Sequence, residues 1–252
     1  MARQRVPEGP PAIPPVQKLR IRYAKRGRLR FSSTRDFQRA LERALRRAGV
    51  PMAFSAGFHP HPKISYANAA PTGTASEAEY VEISVVERVD TAALQAALDE
   101  ALPDGLDVLQ VVEAAPGSLA DRLQASVWRL RFEGVEVERL ASAIADFLAC
   151  ERIEVTRVLK NGPRTFDVRD AVVDMRAEEQ GTSYAILHLV VRHTTPVVRP
   201  DDVLTALRTH AAFEPPRSPL VTRLAQGPLR LQAAQVGDPL VDDPTPPAPS
   251  LG

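Results

Sequence analysis

Cysteine is nearly absent: Cys150 is the single thiol in 252 residues. One thiol cannot close an internal disulfide, and it cannot supply the thiolate cluster of a structural zinc or iron–sulfur centre. Its place at the end of an apolar helical pattern makes it core filler. Long apolar runs are missing as well, since nowhere do about 18 apolar residues follow one another, so no helical membrane span is expected. Residues 1–16 hold five prolines and no apolar stretch, which is wrong for a signal peptide, and a cytoplasmic protein is expected. Aromatics make up only 5% of the chain, with one Trp. No phosphate-cradling glycine loop, Rossmann fingerprint or nucleophile elbow occurs. The sequence therefore offers no self-contained catalytic motif, and no cofactor or metal is expected from it.

Charge of one sign is also missing from the total, which is +1, but not from its parts. From Met1 to Tyr66 there are 15 Lys and Arg against Glu8, Asp36 and Glu42, a net of +12, which leaves −11 for the remainder. A near-neutral chain of this kind can still present a polyanion site.

Residues 1–16, rich in Pro and Gly, read as a disordered arm. Lys18 to Lys25 alternates, with Leu19, Ile21 and Tyr23 on one side and Lys18, Arg20 and Arg22 on the other, the pattern of a half-buried strand with a basic wet face. After Gly27 the same alternation returns at Arg28–Ser32, putting Leu29 and Phe31 inward and Arg28 and Arg30 outward. Ser32, Ser33 and Thr34 then offer an N-cap, and Asp36 suits the first turn, of a helix over residues 35–48 that stops at Gly49 and Pro51. At about 100° per residue, Phe37, Ala40, Leu41, Ala44 and Leu45 share one face and Arg35, Arg39, Arg43, Arg46 and Arg47 the other, with only Glu42 beside them. Unpaired like charges on one helix face are better tolerated when a polyanion neutralises them.

Further strands are expected at 66–70, 78–86 and 106–112, with a helix over 90–102. The acidic half repeats the rhythm: strands at 125–132, 153–159, 164–168, 172–176 and 184–192, turns at Asn161-Gly162 and Gln180-Gly181, and helices at 137–149 and from Arg199. The expected fold is α+β, with two helix-backed mixed or antiparallel sheets of ferredoxin-like character. The expected organisation is an arm at 1–16, a basic domain at 17–115, an acidic domain at 119–230 and a disordered tail at 237–252.

Between these elements lies Ser55-Ala-Gly-Phe-His-Pro-His-Pro-Lys63, where Gly57 frees the backbone and Pro60 and Pro62 stiffen it. In an extended segment His59, His61 and Lys63 project to one side, with Phe58 as an anchor. The same residues also suit a plain surface turn with both His in water.

Taken together, Arg20-x-Arg22-Tyr23-x-Lys25, Arg30-Phe31-x-Ser33, Asp36, the His-Pro loop, Pro71-x-Gly73, Ser76-x-x-Glu79-Tyr80, Phe166-Asp167-x-Arg169, Arg199-Pro200 and Thr222-Arg223 resemble the radical-SAM-associated domain of unknown function. This chain resembles the stand-alone form of that domain. The resemblance implies a partner, either a radical SAM protein or a ribonuclease of the E/G type, and any radical chemistry would belong to that partner because the cysteine trio is lacking here. Members usually carry His after the Ser of the helix cap, where this chain has Thr34.

These observations lead to an RNA-binding or accessory protein of RNA maturation or translation, with tRNA or rRNA as the polyanion. The phosphate contacts fall to Arg20, Arg22, Lys25, Arg28, Arg30, Arg35, Arg39, Arg43, Arg46 and Lys63. A loop site would join Gly57, Phe58, His59, His61, Ser65 and Glu79, with rings available for base stacking. Three alternatives stay open: a non-catalytic partner subunit of a radical SAM enzyme or ribonuclease, an RNA-modifying enzyme using the His-Pro loop, and an adaptor whose basic half binds an acidic partner.

Overall fold

The computed structural model describes residues 12–159, 162–180 and 184–241. The Asn161-Gly162 and Gln180-Gly181 turns therefore fall in part outside the described residues, as do much of the arm and most of the tail. The first half runs β1 (Gln17–Lys25), α1 (Thr34–Arg47), β2 (Ile64–Ala67), β3 (Ala75–Val85), α2 (Thr91–Ala101) and β4 (Val108–Glu113). A short α3 (Leu119–Arg122) leads to β5 (Ala125–Glu133), α4 (Val137–Ala149), a hairpin of β6 (Glu154–Leu159) and β7 (Gly162–Asp167), β8 (Val172–Gln180), β9 (Tyr184–Arg192), α5 (Pro200–His210) and β10 (Leu220–Gly227). A small ribbon of β11 (Leu229–Arg230) and β12 (Gln235–Val236) follows.

Local chemistry sets these boundaries. The Ser33 hydroxyl accepts the Asp36 backbone N–H at 3.2 Å, while the Asp36 carboxylate accepts the Ser33 N–H at 3.1 Å, a reciprocal cap that starts α1. Asp90 caps α2 through the Ala93 N–H at 2.8 Å. Gly49, at φ +64°, ends α1 in the left-handed region that a side chain would resist.

Both halves lay their strands out alike: β4-β1-β3 with β2 against β3, and β10-β5-β9-β8. They do not form two sheets. β2 pairs only with the Tyr80–Ile83 part of β3, so the start of β3 keeps an open edge, and β10 pairs there in parallel, Thr222 opposite Ala75 and Arg223 opposite Ser76. The result is one continuous eight-stranded mixed sheet. Phe37, Leu41 and Leu45 of α1 and Leu94 and Leu98 of α2 pack on Leu19, Ile21, Val81 and Ile83. In the second half Ile144 and Phe147 of α4 and Val203 and Leu207 of α5 pack on Trp128, Leu130, Phe132 and Leu189. Arg223 of β10 reaches Glu79, which projects with Val81 and Ile83, and lies 5.4 Å from the Trp128 ring, so both helix pairs cover the same face of the sheet. On the opposite face Ala78 and Tyr80 are covered by Leu119, Leu123 and Leu240, so packed chain extends into the segment expected to be tail.

One expected strand is not formed. Residues Gly27–Phe31 make a 3₁₀ turn, because β1 is already paired with β3 on one edge and β4 on the other and offers no place for a second basic strand. Gly27 at φ +51° turns the chain out of the sheet, and Phe31, expected inside, is 58% exposed with the Arg30 guanidinium 4.7 Å from its ring.

The seam strand ends against its own C-terminal neighbour: a Cβ at Gly227 would drive into the carbonyl oxygen of Gly237 and to 3.0 Å from Pro239. Gly227→Ala should lower stability by about 1–3 kcal/mol, the range for forced overpacking, seen as a lower urea midpoint at unchanged m-value.

Candidate functional site

Folding splits the expected phosphate contacts into two groups. Arg20 is 1% exposed, with its Nε donating to Glu82 at 3.0 Å and an Nη to the Gly117 carbonyl at 2.6 Å. Lys25 is 5% exposed and donates to the carbonyls of Ala70 and Pro71 at 3.2 and 3.3 Å. Arg22 is half-buried and donates to the Glu77 carbonyl at 2.9 Å. The face expected to be basic and wet is therefore largely covered: Arg20 and Arg22, like Lys25, satisfy internal acceptors, while Lys18 stays exposed and pairs with Glu82 at 3.1 Å.

The remaining group stays outside. Arg28, Arg35, Arg39, Arg43, Arg46 and Lys63 are exposed and Arg30 is half-buried. Among the described residues no ion pair within 4.0 Å engages Arg35, Arg39, Arg43 or Arg46. Of the two carboxylates on this helix, Glu42 makes no ion pair within 4.0 Å among the described residues and Asp36 is committed to the helix cap; the hydrogen bonds of Asp36 from Ser33 hold it below the usual carboxylate range, and the nearby Arg39 and Arg35 add to the effect.

The His-Pro loop folds back beside this helix. Lys63 N–H donates to Ala53 O and Ser55 N–H to His61 O, both at 2.8 Å, and the Ser55 hydroxyl accepts the His61 N–H at 3.0 Å, so the segment is a braced hairpin with Gly57 at φ +127° near its tip. Its outer surface shows Phe54 and Phe58, 46% and 61% exposed, together with His59, His61 and Ser65. Between loop and helix lies a groove of about 200 Å³ lined by Leu45, Arg46, Phe54, Pro62 and Ile64. Glu79 does not join this loop. It is 1% exposed inside the sheet, because β3 directs it towards β10.

Five of the residues that carried the resemblance outside the loop, Pro71, Ser76, Glu79, Arg199 and Arg223, gather instead at the seam between the halves. There a cleft of about 450 Å³ opens between the start of α1 at Thr34 and the start of α5 at Arg199, floored by Ser126, Trp128 and Arg223. Arg223, 3% exposed, donates to Glu79, to Asn68 O at 2.8 Å and to Ser76 Oγ at 3.4 Å. Glu79 also accepts the Ala70 N–H at 3.0 Å, which fixes the loop that walls the cleft. Lys25 stands behind that loop; burial pushes its ammonium down from 10.5, and Glu79 opposes the shift.

His193 forms a second arrangement there. Its Nδ1 lies 2.6 Å from the Leu123 carbonyl, so Nδ1 carries the proton, and Nε2 accepts from the Ser126 hydroxyl at 2.7 Å. Burial lowers the His193 pKa below 6.5, the bond to Leu123 opposes this, and Arg223 lowers it further. Sequence patterning gave no sign of His193, Ser126 or Trp128 as cleft residues; Arg199 and Arg223 stood out only through the resemblance.

Compared with known families, residues 18–200 match one described as an uncharacterized protein conserved in bacteria (DUF2344). The matched span ends where α5 begins, so Arg223 and the seam strand lie beyond it. No curated protein matches the chain.

Two outcomes follow from this geometry. Arg223→Met leaves Glu79 buried without its main partner and should cost about 3–5 kcal/mol, whereas the double change Glu79→Leu with Arg223→Met should recover most of that loss; chemical denaturation of the wild type, both single variants and the double variant measures the coupling. His193, with its folded pKa lowered, binds fewer protons than in the unfolded chain. Its contribution is therefore fully present above pH 6.5 and lost as pH falls towards the folded pKa, and a urea-midpoint series on His193→Gln should lack that part of the slope.

Proposed function

This chain belongs to the DUF2344 family of uncharacterized bacterial proteins, and we propose that it is an RNA-binding protein of RNA maturation or translation, holding its polyanion along the exposed face of α1 and the adjoining His-Pro loop. The observation that carries this reading is the row Arg35, Arg39, Arg43 and Arg46, exposed and without ion-pair partners among the described residues, set beside exposed Phe54 and Phe58. Cations spaced along a helix suit phosphates, whatever the sequence, and add salt-dependent affinity. Exposed rings next to them suit unpaired bases, where stacking contributes roughly 1–3 kcal/mol per base. An acidic protein partner would use the arginines but would leave the rings without a role. With Glu79 drawn into the sheet, His59 and His61 keep no acidic neighbour from the expected loop site, which weighs against the enzymatic alternative. In the same reading, a radical SAM enzyme or an E/G-type ribonuclease would bring the chemistry to RNA held here.

The test is recovery of crosslinked RNA from cells expressing the tagged protein and its Arg39→Glu, Arg43→Glu, Arg46→Glu variant. The wild type should enrich a defined tRNA or rRNA, and the variant should lose it. With purified RNA the slope of log affinity against log salt should shrink by about 2–3, roughly 0.7–0.9 for each of the three phosphate contacts removed. Because the three side chains are exposed, stability should change by less than about 0.5 kcal/mol each. Undiminished RNA recovery by the variant would overturn the assignment to α1.

A further inference from the structure

The seam cleft has a chemistry of its own, separate from the basic face. Two arginines, Arg199 and Arg223, line it, and among the described residues no Asp or Glu does. Behind the wall Glu79 pairs with Arg223 while Lys25 is held by the carbonyls of Ala70 and Pro71, so the three together, with Arg199, leave an excess of positive charge around the opening. The starts of two helices border the cleft, at Thr34 of α1 and Arg199 of α5, but Asp36 and Asp202 cap them, so the donors left to a ligand are the side chains of the lining. Trp128 supplies an independent sign of a missing acceptor: it lines the cleft, is 5% exposed, and its indole N–H has no hydrogen-bond partner among the described residues. Arg223 is prearranged by three acceptors that occupy three of its five N–H groups. The lining is thus rich in donors and positive in charge.

From this we infer that the cleft is a binding site for a phosphomonoester carried on a nucleoside. A bare oxyanion would leave most of about 450 Å³ empty, and that volume lies within the roughly 300–1,000 Å³ range of small-molecule pockets. The phosphate lies between Arg199 and the floor at Arg223, where charge-assisted N–H donors are strongest. The nucleoside lies over the floor at Trp128. Two sources can carry this group, a free nucleoside monophosphate and the phosphorylated terminal nucleotide of an RNA strand. Thr34, which borders the cleft, immediately precedes Arg35 of the basic row, so a strand lying along α1 can place its end here.

Trp128 is the only tryptophan in the chain, so its emission reports directly on the cleft. The full-length protein is titrated with a nucleoside monophosphate, the matching uncharged nucleoside, inorganic phosphate, and an oligoribonucleotide with either a phosphorylated or a hydroxyl end, with excitation at the red edge where nucleotides do not absorb. The expected result is a saturable change with the monophosphate, none with the nucleoside, and roughly tenfold weaker binding in Arg199→Ala, whose side chain is exposed and not needed for folding. Tighter binding of the phosphorylated strand than of the monophosphate assigns the site to RNA ends, and the reverse order assigns it to a free nucleotide. The triple α1 variant should leave the monophosphate titration unchanged, which separates failure of the basic face from failure of the cleft. The inference is overturned if no phosphate ligand moves the emission, if the uncharged nucleoside moves it equally, or if Arg199→Ala binds as wild type.

Discussion

A buried ion pair joins the two halves of this protein. Arg223 comes from β10 and Glu79 from β3, 144 positions apart in the chain, and both are shut away from water. Taking two such charges out of water is expensive, and their attraction offsets the cost only when the geometry is good and the remaining donors are satisfied. Ser76 and the Asn68 carbonyl satisfy them on the arginine, and the Ala70 N–H on the carboxylate. The pair therefore contributes register more than raw stability. A slip of one residue at the seam would turn Arg223 to the opposite face of the sheet and strand both charges, so two ladder positions of parallel pairing suffice to fix how the halves meet. The walls of the cleft then follow, because the loop before β3 hangs on Glu79.

Where apolar periodicity was strong, the sequence announced the structure. Val137–Ala149 and Tyr184–Arg192 form where the pattern placed them, and α1 is displaced by one residue. β10 is the opposite case. Its buried positions are Arg223, Gln226 and Gly227, so no apolar alternation marks it as a strand. Two-sheet architecture was a reasonable expectation only because the strand that merges the sheets is the one without a pattern. The failure at Arg28–Ser32 has another cause: the alternation is real, but pairing capacity is a property of neighbours, and β1 had none to spare.

The lengthwise charge asymmetry changes meaning on folding. Lys18 and Arg20 meet Glu82, and Arg26 meets Glu77 and Asp107, so carboxylates from beyond residue 66 neutralise cations from before it. What survives at the surface is mostly the face of α1, whose cations no partner was folded to meet. In the sequence an arginine on a strand and an arginine on a helix carry equal weight towards a basic patch. Only burial separates Arg20, which holds the sheet together, from Arg43, which is free to act outward.

The seam also orders events in time. The first half leaves the ribosome with the open edge of β3 and the Glu79 carboxylate awaiting a partner that will not be made for more than 130 residues. Long-range parallel pairing of this kind is slow and leaves edges exposed to other chains. Until β10 emerges, a nascent chain carries an incomplete sheet whose helices and core are otherwise in place, and the last strand of the main sheet to be translated decides whether that edge closes on its own protein or on a neighbour's.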